Sequence, residues 1–205
     1  MKDKLPTLQR PSACRETSGS YELTRQMIRT FEQAYAFVLK VKVCTIFGSM
    51  KSPYPSLWDN VALPDRQKGQ PGWCEKITAV WKWKNALPAT FPNEIFYGKA
   101  VGGDAVLMEM NYLQQEHFPT AKKPVNTLSP LARQIYGHIR IEPWYTGELR
   151  KLAMEESGCT KSRFDTALKS LQISINIVRS NHPDEERDRW MTFEELYPVV
   201  ASSSP

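Results

Sequence analysis

The stretch from Ser129 to Phe193 leaves this chain few ways to fold. Ser129 followed by Pro130 pairs a capping hydroxyl with a proline at the first helical position. Leu131, Ile135 and Ile139 then mark one face of that helix. Thr146 is read as the cap of a second helix, with Leu149, Leu152 and Ala153 inward and Gly158 as its stop. Thr160 caps a third, whose apolar residues Phe164, Ala167, Leu168 and Leu171 keep the i, i+3, i+4, i+7 spacing of a buried face. Ile173, Ile175 and Ile177 alternate with polar residues, the period-two pattern of a strand. Asn181 to Asp184 turns the chain, and Arg189 to Phe193 returns as a second strand. Three helices, a short turn between the second and third, and a two-stranded ribbon predict a winged helix-turn-helix over 127–200.

The chain as a whole reads as α+β, and the preceding part is a helical lobe with a β-hairpin over 21–126, behind a flexible leader at 1–20. Leu23, Met27, Phe31, Tyr35 and Val38 lie at spacings of three and four, with a break near Thr30 where a helix through Lys42 can begin. Val41 to Phe47 reads as a short extended or helix-end segment, and Pro53 and Pro55 forbid regular structure after it. Ser56 can cap a short helix through Asp59. Cys74 to Leu87 reads as a helix with Ile77, Val80 and Trp81 inward and Trp83 away from that face. Two apolar runs, 95–101 and 105–110, flank Gly102, Gly103 and Asp104; glycines supply the positive φ of a tight turn, so a β-hairpin closes the lobe. A short helix is expected from Asn111 to Phe118.

No run approaches 18 apolar residues, so no transmembrane helix is expected. The first residues lack the apolar stretch of a secretory signal, which points to the cytoplasm. Cys14, Cys44, Cys74 and Cys159 contain no C-x-x-C pair and are expected to be reduced thiols. With only three histidines (His117, His138 and His182), no local zinc spacing forms; no metal and no cofactor are expected.

The third helix of the C-terminal unit would meet the major groove of duplex DNA. Its outward residues include Lys161, Ser162, Arg163, Thr166 and Lys169, types suited to phosphates and base edges. Arg179 sits near the wing. In the first lobe Lys76, Lys82, Lys84 and Lys99 interleave with Trp81, Trp83, Phe96 and Tyr97, a pattern that can bind backbone and stack bases; Lys82, Trp83 and Lys84 are its candidate contacts. Charge argues against the C-terminal unit acting alone. It carries ten Lys/Arg against eleven Asp/Glu over 128–200, while the chain as a whole has a net charge of +5. DNA affinity comes largely from phosphate neutralisation, so a DNA path should cross both lobes and both should share a basic face. A winged helix with an acidic wing (Asp184 to Glu186) can instead meet a basic protein partner. For catalysis, Glu109 interrupts an apolar strand, and an acid on a half-buried strand can serve as acid or base.

Four segments carry a resemblance. Ser56 to Val61, Val80 to Pro88, Phe96 to Lys99 and the C-terminal unit together resemble the bacterial AlkZ-related proteins, short relatives of the AlkZ/YcaQ-type DNA glycosylases. The resemblance implies tandem winged-helix lobes, hence a winged-helix-like N-terminal lobe, and an association with double-stranded, damaged DNA. The glycosylases carry a Q-x-D or Q-x-Q motif before a segment ending in Leu-Trp. Here residues 45–56, before Leu57 and Trp58, hold no glutamine. The resemblance therefore carries over a fold and a DNA association but no catalytic residue. A lesion-processing enzyme using another acid and a protein-interaction module are the alternatives.

Overall fold

The computed structural model describes residues 27–48, 52–69, 71–182 and 187–202. The leader, Leu23 and the acidic stretch 184–186 lie outside them.

The first helix, α1 (Phe31–Val41), begins where the break was expected. The Thr30 hydroxyl accepts from the Gln33 amide at 3.3 Å, while the Gln33 side chain accepts from the Thr30 amide, a reciprocal cap. The chain then forms β1 (Val43–Thr45), α2 (Leu57–Asn60), capped by Ser56, and α3 (Glu75–Thr90). The hairpin follows as β2 (Ile95–Lys99) and β3 (Ala105–Glu109), pairing Ile95 with Glu109 and Lys99 with Ala105. Gly103 closes it at φ +89°, a conformation side chains rarely adopt. Gly98 is needed for space: a Cβ there would lie 2.4 Å from the Phe96 ring. Strand β1 joins the far edge of β3, giving the order β1-β3-β2.

From Met110 to Ala121 the backbone stays helical but changes pitch, as α4 (Met110–Tyr112), a π segment over Leu113–His117 and α5 (Phe118–Ala121). Pro119 lacks an amide and cannot bond back to residue 115. The Phe118 amide reaches Leu113 instead, and the wider turn absorbs the break.

The second half comprises α6 (Pro130–Ile141), β4 (Trp144–Tyr145), α7 (Thr146–Ser157), α8 (Lys161–Ile173), β5 (Ile177–Arg179), β6 (Arg189–Thr192), α9 (Phe193–Leu196) and α10 (Pro198–Ser202). Its sheet has the order β4-β6-β5. Each half thus runs helix, short strand, helix, helix, strand, strand, and in each the short strand pairs with the last.

Three expectations are corrected here. Thr146 does not cap α7. Its hydroxyl accepts from the Trp190 indole at 2.8 Å and donates to the Asp188 carbonyl, tying β4 to β6. Ile173 belongs to α8 rather than to a strand, and the chain turns through Ser174–Asn176 before β5 starts at Ile177. Ile175 is held there at φ +50°, a strained position for a β-branched residue. Surrounding bonds enforce it: the Asn176 amide reaches Leu171 and its side chain reaches Ser174 and Lys123. The inward face of α3 is Val80, Trp83, Lys84 and Leu87, not the Ile77-Val80-Trp81 face.

Three apolar cores hold the molecule together. One fills the N-terminal half around Phe37, Leu57, Trp83 and Leu107, and another lies between α6, α7 and α8. The third joins the halves, packing Phe96, Val106 and Met108 of the hairpin against Phe118, Ile175, Phe193 and Tyr197. Lys122 reinforces this junction with an ion pair to Glu194 at 2.6 Å and a bond to the Ile175 carbonyl at 3.1 Å.

Candidate nucleic-acid interface

Helix α8 is pinned by its apolar stripe. Phe164, Ala167, Leu168 and Leu171 are buried, so Lys161, Ser162, Arg163, Thr166 and Lys169 fall outward and are exposed. The one acid among them, Asp165, is offset by Arg150 of α7 at 3.1 Å. Shallow grooves flank the helix. One runs towards the start of α6 and is lined by Ser129, Leu131, Ser162, Arg163, Thr166 and Ser170. The other is lined by Lys161, Ser162, Asp165, Thr166 and Lys169. The Thr160 cap fixes the first turn, so the cationic end of the helix is held in register with its buried face.

The remaining candidates lie in α3 and on β5. Lys82 is exposed. Trp83 is not: only 6 % of its surface is accessible, and it packs with Val80 and Leu87. Trp81 takes the exposed position, 41 % accessible and in edge contact with the exposed Trp73. Arg179 is buried too, and its guanidinium pairs with Asp188 at 2.7 Å and donates to the Ser180 carbonyl. It ties β5 to Asp188, just before β6, instead of projecting to solvent.

Lys84 is 4 % accessible, and among the described residues its ammonium has aromatic faces for neighbours: Trp81 at 4.1 Å and Tyr97 at 4.9 Å. Burial holds it below the usual lysine range; Asp188 counters this, while Arg179 and Lys99 add to it. Each cation–π contact offsets about 2 kcal/mol at best, whereas withdrawing an ion from water costs several. Lys99 on β2 is half-buried and is likewise held low, by burial and then by Lys169, with Asp104 and Asp188 opposing. Its ammonium donates to the Gly103 carbonyl at 3.3 Å. Lys169 of α8 crosses the same turn, so that a Cβ on Gly103 would lie 2.3 Å from its Cε. Cations from both halves therefore meet on one seam: Lys84 and Lys99 from the first, Lys169 and Arg179 from the second. Lys84, Lys99 and Lys169 each stand out in the sequence as separate cations, but their convergence across the two halves has no local sequence signal.

Glu109 acts as a helix cap. Its carboxylate accepts from the Tyr112 amide at 3.1 Å and from the Asn111 side chain at 2.6 Å. It shares an open hollow with Glu94, which accepts from the Tyr35 hydroxyl, and with Lys42, Asn111 and Gln115. Cys44, Cys74 and Cys159 are free and buried, and burial pushes the Cys44 thiol up to about 12. No cluster of three His, Cys, Asp or Glu able to hold a metal occurs among the described residues. None of their helices is long and apolar enough to cross a membrane.

His117, in the π segment, is buried, and its Nε2 has no hydrogen-bond partner among the described residues. Burial depresses its pKa below 6.5, only partly opposed by a bond to the Lys99 backbone. A depressed histidine contributes its stability in full above its unfolded value and loses it as pH falls through the folded value. Thermal melts should thus show the wild type losing stability from about pH 6.5 downwards more steeply than His117→Gln. Parallel pH profiles would exclude His117 as the cause.

A family model described as "AlkZ related" matches residues 28–190. No curated protein and no solved structure gives a significant match. The matched span takes in α1, the hairpin, α8, β5 and the first two residues of β6, so the seam and the helix face lie within it. The chain therefore belongs to the AlkZ-related family.

Proposed function

We propose that this chain is a non-catalytic duplex-DNA-binding protein built from two winged-helix lobes, acting where DNA is damaged or distorted. The repeated element order, with the short strand beside the last strand in both sheets, supports the winged-helix reading. The observation that carries the function is the cationic seam shared by both halves, continuous through Lys169 with the exposed face of α8. A DNA path across both lobes requires such a face, because the C-terminal unit has no net positive charge to supply affinity by itself.

In this arrangement α8 enters the major groove with Lys161, Ser162, Arg163 and Thr166 leading. Lys169 continues the contact towards the hairpin, and Lys82 extends it on the first lobe. Trp83 and Arg179 stay in structural roles. The family membership supports a link to DNA repair. Engagement of Glu109 as a cap and the lack of glutamine in 45–56 support a role without base excision.

A fluorescent duplex of about 20 base pairs tests this. Saturable binding at micromolar protein or tighter is expected, the range of nonspecific DNA association at physiological salt. With an alkylated duplex the same protein should bind and leave no abasic sites. Flat anisotropy rejects DNA binding, and abasic-site formation rejects the non-catalytic reading.

A further inference from the structure

The seam contains a group that neither the fold nor α8 explains. Lys84 is more than nine-tenths buried, bears a charge, and has no acceptor among the described residues. What little surface Lys84 keeps leaves its ammonium open to a ligand from solvent, and a charge so nearly buried among aromatic rings needs a reason. An apolar residue would suit the inward face of α3 better, since its neighbours there are Val80, Trp83 and Leu87. The position is also surrounded by like charge: Lys99 and Arg179 both act against Lys84, and Lys169 acts against Lys99. Of the two carboxylates in range among the described residues, Asp188 is already engaged by Arg179, and Asp104 sits at the hairpin turn beside Lys99. Lys99 and Lys169 thus share the Gly103 turn and Lys84 lies within electrostatic range of Lys99, with less negative charge among the described residues than the three can neutralise.

Resting on the duplex-binding reading, we infer that Lys84, Lys99 and Lys169 form a phosphate site, occupied by one backbone phosphate where DNA passes from α8 to the hairpin. The bound anion supplies the acceptor that the described residues do not offer Lys84. Lys99 and Lys169 bring compact ammonium groups from opposite lobes, so one phosphate bridges the two halves. Trp81 and Tyr97, lying against Lys84, wall the site and limit its hydration.

Two measurements on the full chain test this. In the first, thermal melts are recorded with inorganic phosphate and with sodium chloride at equal ionic strength. Phosphate should raise the wild-type melting temperature above the chloride control, and Lys84→Met should abolish that excess. Lys99→Gln, which keeps a donor for the Gly103 carbonyl, should reduce it. An equal response in wild type and Lys84→Met, or no excess in wild type, overturns the site. In the second, the slope of log affinity against log salt for a duplex should become shallower by about 0.9 in Lys84→Met, the loss of one phosphate contact. An unchanged slope, with the phosphate effect present, assigns the site to free phosphate and overturns its place on the DNA path. The phosphate arm is read without DNA. Failure of wild-type duplex binding would therefore defeat the functional reading and the DNA assignment while leaving the anion site to be judged on its own.

Discussion

Phe193→Ala is expected to destabilise the protein by about 3–5 kcal/mol, the range for removing a fully buried phenylalanine. Phe193 is completely inaccessible and sits at the centre of the junction between the halves. Its ring stacks on Phe118 at 5.1 Å and meets Tyr197 at 5.3 Å and Phe96 at 6.2 Å. Truncation removes all three contacts and leaves a cavity lined by residues from both lobes. Set against an ordinary total stability of about 5–15 kcal/mol, this is a large fraction, and the melting temperature should fall by roughly 6–20 °C. Ile141→Ala is the control: Ile141 is 80 % accessible and its loss should stay within about 0.5 kcal/mol. A Phe193 variant as stable as the Ile141 variant would mean that the shared core does not bind the lobes together.

The second large effect is on binding. Reversing Lys161, Arg163 and Lys169 to glutamate should weaken duplex binding at least about a hundredfold and flatten its salt dependence. Each phosphate contact contributes roughly a fivefold factor at about 0.15 M salt through counterion release, and three are lost together. Folding should survive, because the three side chains are exposed and α8 is held by its opposite face. Binding unchanged in this variant would remove α8 from the interface.

The hairpin and the C-terminal helices were legible in the sequence because their signals are local. Gly102 and Gly103 announce the turn, Ser129 and Thr160 are true caps, and Gly158 ends α7 in the left-handed conformation. The errors have physical causes. Ile173, Ile175 and Ile177 imitate a strand because a helix end, a strained turn and a strand start each bury one isoleucine or half-bury it. Strand β4 is two residues long, too short to show a period. The junction core escaped notice because Phe96, Phe118, Ile175 and Phe193 come from short segments far apart in the chain.

The α3 error bears most on function. Val80, Trp83, Lys84 and Leu87 keep helical spacing, but a lysine in the set made the Trp81 face look better. Local pattern and global fold disagree at Lys84, and such disagreements concentrate at functional sites. The residue that misled the reading of the helix is the one on which the phosphate site turns. Of the candidate site residues, Lys161, Ser162, Arg163, Thr166, Lys169 and Lys82 are exposed, whereas Trp83, Lys84 and Arg179 are buried.

The central claim is that DNA is held by cations drawn from both lobes. The slope of log affinity against log salt for the wild type, measured on one duplex between about 50 and 200 mM, tests it most directly. Lys161, Arg163, Lys82 and the shared Lys84–Lys99–Lys169 site amount to about four phosphate contacts, so a slope of about −3.6 is expected. A slope shallower than about −1, or no binding at the lower salt, would contradict it.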